Sequence, residues 1–243
     1  MITYFLNLSF ISTGVNSIDS ILAGGIHSGM ITDIICNTKE GRTNFCFSLC
    51  VQSVIENEDN TVIFGDTQGS FRPEKIEKYL KYLQKPNSML DRIKYIRLFS
   101  SKSQNLLTEK ASYFRPAMIV VEDFSSLFSN EYHGFSRNLH IMKYLHKLAL
   151  NAIQNNIAVV ITSSYSNKSK NRNGLVFDTS ICEYVPRTAS VFIHMALKLD
   201  RINQSRSIYS AQLTRPYSNK ICHFQIAESG LIDMLSLDLK DSN

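Results

Sequence analysis

The chain lacks any C-x-x-C pair: Cys36, Cys46, Cys50, Cys182 and Cys222 form an odd, scattered set. That pattern argues against a disulfide framework and against a zinc cluster, and it predicts a reducing compartment. No apolar run is long enough to span a bilayer, and the opening MITYFLNLSFISTG has neither a basic leader nor a small-residue cleavage site. It reads as an N-terminal strand of a soluble protein with no membrane partner. Internal repeats and extended low-complexity tracts are missing too, so fibrous and disordered classes fall away. Charge of one sign is scarce: 26 Lys and Arg against 21 Asp and Glu leave a formal +5. This mild basic excess suits a polyanionic partner without requiring one. What is present, 243 residues of which 44% are hydrophobic, supplies one sizeable core.

Short Val-, Ile- and Phe-rich runs alternate with longer helical patterns, the signature of strands buried on both faces of a parallel sheet. The runs are ITDIIC (31–36), TVIFGD (61–66), KYIRLF (94–99), AMIVVE (117–122) and AVVITS (158–163). Helical periodicity predicts helices over residues 44–56 and 138–155, whose apolar stripes read as core. From Ser190 the texture changes to SVFIHMALKL, SIYSAQLTR and ICHFQIAESGLID, separated by short polar turns, which predicts an antiparallel meander. The polar, basic SYSNKSKNRNG (164–174) between the two textures reads as a loop, because too little chain follows it to build a second core. The expected fold class is therefore α/β in a single domain over residues 1–243.

CNTKEGRTN (36–44) lies between a buried-type strand and a helix. A phosphate loop of the form G-x-x-x-x-G-K-[ST] gathers backbone N–H groups on the phosphates, sends a Lys to the β/γ oxygens and puts a hydroxyl on Mg²⁺. Here the frame reads Cys36, then Asn37, Thr38, Lys39 and Glu40, then Gly41, Arg42 and Thr43, with Asn44 following. Cys36 replaces a glycine that permits unusual backbone angles, and Arg42 substitutes a bulky guanidinium for a compact ammonium. Both changes weaken nucleotide binding. The same stretch also fits a plain strand–turn–helix in which Gly41 relaxes the turn.

Five segments in order resemble the RecA/RadA-type strand-exchange recombinases of archaea and eukaryotes, especially the eukaryotic recombinase paralogs: ISTGVNSIDSILAGGIHSGMITDI, GDTQGSFRPEKI, AMIVVEDFSSLF, NNIAVVITSSY and CHFQIAESGLID. The resemblance implies a RecA-like P-loop NTPase core: a mostly parallel twisted sheet flanked by helices, closed by the antiparallel meander. It further implies an ATP and Mg²⁺ site with departures where ATP is processed. Gln68 in DTQGSF stands where the family has the Glu that orients the attacking water, and Ser164 stands at the sensor position, where the family has a Gln. The Mg²⁺-side carboxylate corresponds to Glu122, or to Asp123 if the register slips by one, with Thr43 as the hydroxyl ligand. A carboxylate at 122 or 123 also fits a solvated cap of the next turn, and Thr43 also fits a helix N-cap. The implied site is degenerate, binding ATP weakly with little or no hydrolysis; the alternatives are an active DNA-dependent ATPase completed by a partner subunit and a nucleotide-free scaffold.

By position, the family's two DNA loops correspond to residues 129–137 and 165–187. The first offers Tyr132, His133 and Phe135 for stacking, with Arg137 as a cation. The second holds Lys168, Lys170, Arg172 and Arg187, which suit phosphate neutralisation. His140, His146, His194 and His223 lack ligand spacing and read as structural. The resemblance leads to the expectation of a core without the family's N-terminal helical DNA-binding domain, and no Phe-x-x-Ala tag is visible ahead of Ile11. The resemblance then implies a nuclear accessory factor working in a heteromeric complex with other paralogs or the recombinase itself. Such a factor would act on single-stranded DNA during double-strand break repair or meiosis.

Overall fold

The computed structural model describes residues 9–165 and 185–234. Eleven strands lie among them. β1 (Phe10–Ile11) and β2 (Ile26–His27) pair with each other, while β3 (Ile31–Cys36), β4 (Val62–Asp66), β5 (Ile93–Arg97), β6 (Met118–Glu122), β7 (Ala158–Ser163), β8 (Met195–Asn203), β9 (Ile208–Arg215), β10 (Tyr217–Ala227) and β11 (Gly230–Met234) form one sheet. Its order is β11-β10-β9-β8-β3-β7-β6-β4-β5. From β8 to β5 every pair is parallel, and from β8 to β11 every pair is antiparallel. The parallel sheet and the meander are both as the sequence predicts, because strands covered on both faces must read as unbroken apolar runs.

Helices α1 (Asn16–Ile21), α2 (Lys39–Glu56) and α3 (Pro73–Tyr82) accompany α4 (Ser101–Lys110), α5 (Ser126–Glu131) and α6 (Gly134–Asn155). Strand alternation divides the core in two. Ile34 and Cys36 of β3 pack with Phe45, Phe47 and Leu49 of α2, whereas Ile31 and Ile35 pack with Ile141, Tyr144 and Leu148 of α6. The sequence locates α2 and α6 but starts both too late, and it misses α3, α4 and α5. Those three carry local signals instead of long apolar stripes. Pro73 opens α3, and a reciprocal capping box between Ser100 and Ser103 opens α4. The N-terminal strand shrinks to Phe10 and Ile11 among the described residues.

Register positions the site. Asp66 is the partner of Glu122, and Ile35 is the partner of Ser163, so the carboxyl ends of β3, β7, β6 and β4 finish level with one another. In an open α/β sheet this edge is where ligands bind, between adjacent strands whose connections leave in opposite directions. β3 and β7 are such a pair: from β3 the chain goes on to β4 toward one edge of the sheet, and from β7 it goes on to β8 toward the other.

Candidate functional site

Asp66, fully buried at the end of β4, builds one wall of the site. Its Oδ1 accepts the N–H groups of Gln68 at 2.8 Å and Gly69 at 2.7 Å, its Oδ2 accepts that of Phe71 at 3.1 Å, and Arg97 approaches at 3.4 Å. The carboxylate thus winds residues 67–71 into a tight turn, and the turn carries Ser70 onto Glu122. Ser70 Oγ donates to Glu122 Oε2, while Thr43 Oγ1, from the start of α2, donates to Glu122 Oε1. Thr67 Oγ1 donates to the Glu122 carbonyl at 2.8 Å and holds the two strand ends together.

Glu122 is only 1% exposed. Burial pushes its carboxyl above the ordinary range, and the Ser70 and Thr43 hydroxyls oppose that shift. A buried carboxylate ringed by hydroxyl oxygens is a hard-oxygen donor set, and a divalent cation there would offset the cost of keeping it ionised. Thr43, Ser70 and Glu122 therefore fit Mg²⁺. Thr43 and Ser70 donate to Glu122 and not to Asp123, whose backbone has a positive φ of 47° and whose N–H donates to Thr162 Oγ1 at 2.8 Å.

The phosphate-loop frame takes a tighter shape than its motif predicts. Only Asn37 and Thr38 separate β3 from α2, so Lys39 and Glu40 are already helical. Thr38 caps the helix by accepting from Gly41 N–H at 3.3 Å, and its hydroxyl also meets Tyr209 OH and Cys36 Sγ, each at 3.3 Å. An ordinary N-cap satisfies these amides locally. Gly41 serves close approach here: an added Cβ would stand 2.7 Å from Thr38 Oγ1 and 2.9 Å from Cys36 Sγ. Arg42 turns inward and is 5% exposed, with Nη1 donating to the Cys36 carbonyl at 2.5 Å.

Cations for an anion come from elsewhere. A groove of about 420 Å³ runs beside the first turns of α2, lined by Thr43 and Ser70 together with Lys39, Arg72 and Lys75, which outnumber the Glu40 carboxylate there. It continues into a cleft of about 240 Å³ bounded by Asn44, Lys75, Tyr79 and Ile226. Asn44 Oδ1 accepts from Lys75 Nζ at 3.0 Å and from Tyr79 OH at 3.4 Å, which fixes both side chains at the junction. The lysines and arginine of the groove suit an anionic ligand, and the cleft joins Tyr79 and Ile226 to the polar Lys78 and Glu228. Ser70, Arg72, Lys75 and Tyr79 are contributors that motif reasoning missed. Their signal lay in GDTQGSFRPEKI, where a buried-type Asp precedes a turn and Pro73 begins a helix.

The other predicted positions spread out. Gln68 lies on the same turn with its side chain exposed, and Ser164 follows the end of β7, half-buried. Residues 129–137 are mostly helical, ending α5 and starting α6, and Tyr132 stacks on His140 with ring centroids 3.8 Å apart. Arg137 stands in the first turn of α6, and Arg187 is exposed on the turn before β8. Lys168, Lys170 and Arg172 lie outside the described residues.

The sequence profile of the Rad51 family matches residues 6–234. The DNA repair and recombination protein RadA of Cenarchaeum symbiosum (strain A) is 31% identical over 173 residues, 66% of this chain and 44% of that protein. The DNA repair protein RAD51 homolog B of Zea mays is 29% identical over 171 residues, covering 65% of this chain and 50% of the relative. The DNA repair protein RAD51 homolog of Solanum lycopersicum matches with the same identity and coverage. The chain spans about half the length of these curated relatives.

Proposed function

The chain belongs to the Rad51 family, and on that footing we propose that it is a recombinase paralog, an accessory factor in homologous recombination and double-strand break repair. Its ATP site holds nucleotide weakly and hydrolyses little or none. The observation that carries this reading is the meeting of Thr43, Ser70 and Glu122 at the head of a cation-lined groove. When bound there, Mg²⁺ supplies charge neutralisation for the phosphates. Lys39, Arg72 and Lys75 hold the anion, and Asn44 with Tyr79 orients the far end of the ligand.

The hydrolytic deficit rests on two side chains. Gln68 bears a neutral amide where a carboxylate would orient water, and an amide takes up no proton from it. Ser164 is too short to reach a phosphate as a glutamine does. Because in-line attack depends on such positioning and charge stabilisation, losing both groups lowers turnover by orders of magnitude.

This reading places the protein in the nucleus, in a heteromeric complex with other paralogs or the recombinase, acting on single-stranded DNA in somatic or meiotic repair. The relatives' names as DNA repair and recombination proteins support it. Turnover measured with and without single-stranded DNA tests the catalytic part. The chain should show none above background, and Gln68→Glu alone should recover little, since Ser164 remains. Robust DNA-stimulated hydrolysis by the unaltered chain would refute the proposal.

A further inference from the structure

A cavity of about 320 Å³ opens on the face of the sheet away from α2. Ile35, Ile193 and Ala196 supply apolar lining, and Asp33, Arg187, Lys198 and Arg215 are its charged or titratable members. Ile35 belongs to the core shared with α6, whereas the nucleotide groove lies beside α2, so the cavity is a separate place.

Most hydrogen-bond donors of the lining are already committed. Ser190 Oγ donates to the Arg187 carbonyl at 2.8 Å, Thr214 Oγ1 to the Ala196 carbonyl at 3.1 Å, and Tyr165 OH to Asp200. Lys198 pairs with Asp200 at 3.0 Å. Arg215 Nη1 donates to the Ser190 and Ile193 carbonyls, and its Nη2 donates to Ser190 Oγ at 3.3 Å. What remains is positive charge. Among the described residues, neither Arg187 nor Arg215 is paired with a carboxylate.

Two uncompensated guanidinium groups in a cavity with apolar lining select their ligand by what they leave out. A phosphate dianion asks for many donors, more than this committed lining leaves free. A carboxylate asks for one guanidinium fork, and an aliphatic stem behind it covers Ile35 and Ile193. We propose that this cavity binds a carboxylate on a short aliphatic stem, carried by a glutamate-type side chain of a partner protein or by a free dicarboxylic acid. Arg187 makes the forked contact. Arg215 adds charge and, through its carbonyl contacts, shapes the rim.

The test is a titration of the full chain with labelled Ile and Val methyl groups, following Ile35, Val185 and Ile193. Glutarate, N-acetylglutamate amide and inorganic phosphate serve as separate probes. The carboxylates should shift these methyls saturably, and Arg187→Ala, an exposed position, should weaken binding roughly tenfold or more. Tighter binding of the blocked glutamate assigns the site to a protein side chain, and binding of glutarate alone assigns it to a free acid. No saturable shift with either carboxylate overturns the proposal. So does phosphate binding as tightly as the carboxylates, or unchanged affinity in Arg187→Ala with its methyl spectrum otherwise intact.

Discussion

Asp33 is a carboxyl whose chemistry departs from its sequence context. Burial pushes its carboxyl up to about 7, opposed by hydrogen bonds from Ser163 and by the nearby Arg42 guanidinium. The folded chain therefore keeps a proton there that the unfolded chain releases above about 3.9. Stability attributable to Asp33 falls as pH rises between those values and levels off above 7. Asp33→Asn removes the titration and keeps an acceptor for Ser163. Urea unfolding at several pH values should show the variant gaining on the parent chain as pH rises from 4 to 7, by up to a few kcal/mol. A constant difference across that range would mean Asp33 is ionised in the fold. A motif search passes over Asp33, because an acid inside ITDIIC is visible while the depth of its burial is a property of the assembled sheet.

The start of α2 shows how far local chemistry can be read. CNTKEGRTN gives the strand, the helix and the hydroxyl that reaches Glu122. It does not give the point where the helix begins, because a Thr N-cap and an open phosphate loop compete for the same amides. The cap wins here, with Thr38 accepting from Gly41. Thr38→Ala should cost about 1 kcal/mol and lower the melting temperature by roughly 2–4 °C in a chain of this size. An unchanged melting temperature would show that the Tyr209 and Gly41 contacts add nothing. The helices α3, α4 and α5 escape the sequence reading for a different reason: they are short, so the buried Ile76, Tyr79 and Leu80 of α3, although at helical spacing, make a single brief stripe, and the ends are set by single residues such as Pro73 and Ser100. The long buried strands were legible because burial on both faces leaves no room for polar alternation.

At the scale of the whole molecule, parallel register turns separate sequence segments into one site. Residue 43 meets 122 and 70 only because β3, β6 and β4 end level, which no local pattern reveals; collinear resemblance supplied it instead. The proposed DNA contact rests on the basic segment that follows β7 in the sequence. Replacing Lys168, Lys170 and Arg172 with Ala should weaken single-strand affinity and flatten its dependence on salt, since each lost phosphate contact removes a released counterion. An unchanged slope would place the DNA elsewhere.

The most direct measurement is calorimetric titration of ATP with Mg²⁺ into the full chain and into Thr43→Ala and Glu122→Gln. The parent chain should bind saturably and with a dependence on Mg²⁺, and each variant should lose roughly tenfold or more in affinity while remaining folded by circular dichroism. Binding unaffected by either substitution, or no binding by the parent chain, would contradict a nucleotide site built on Thr43, Ser70 and Glu122.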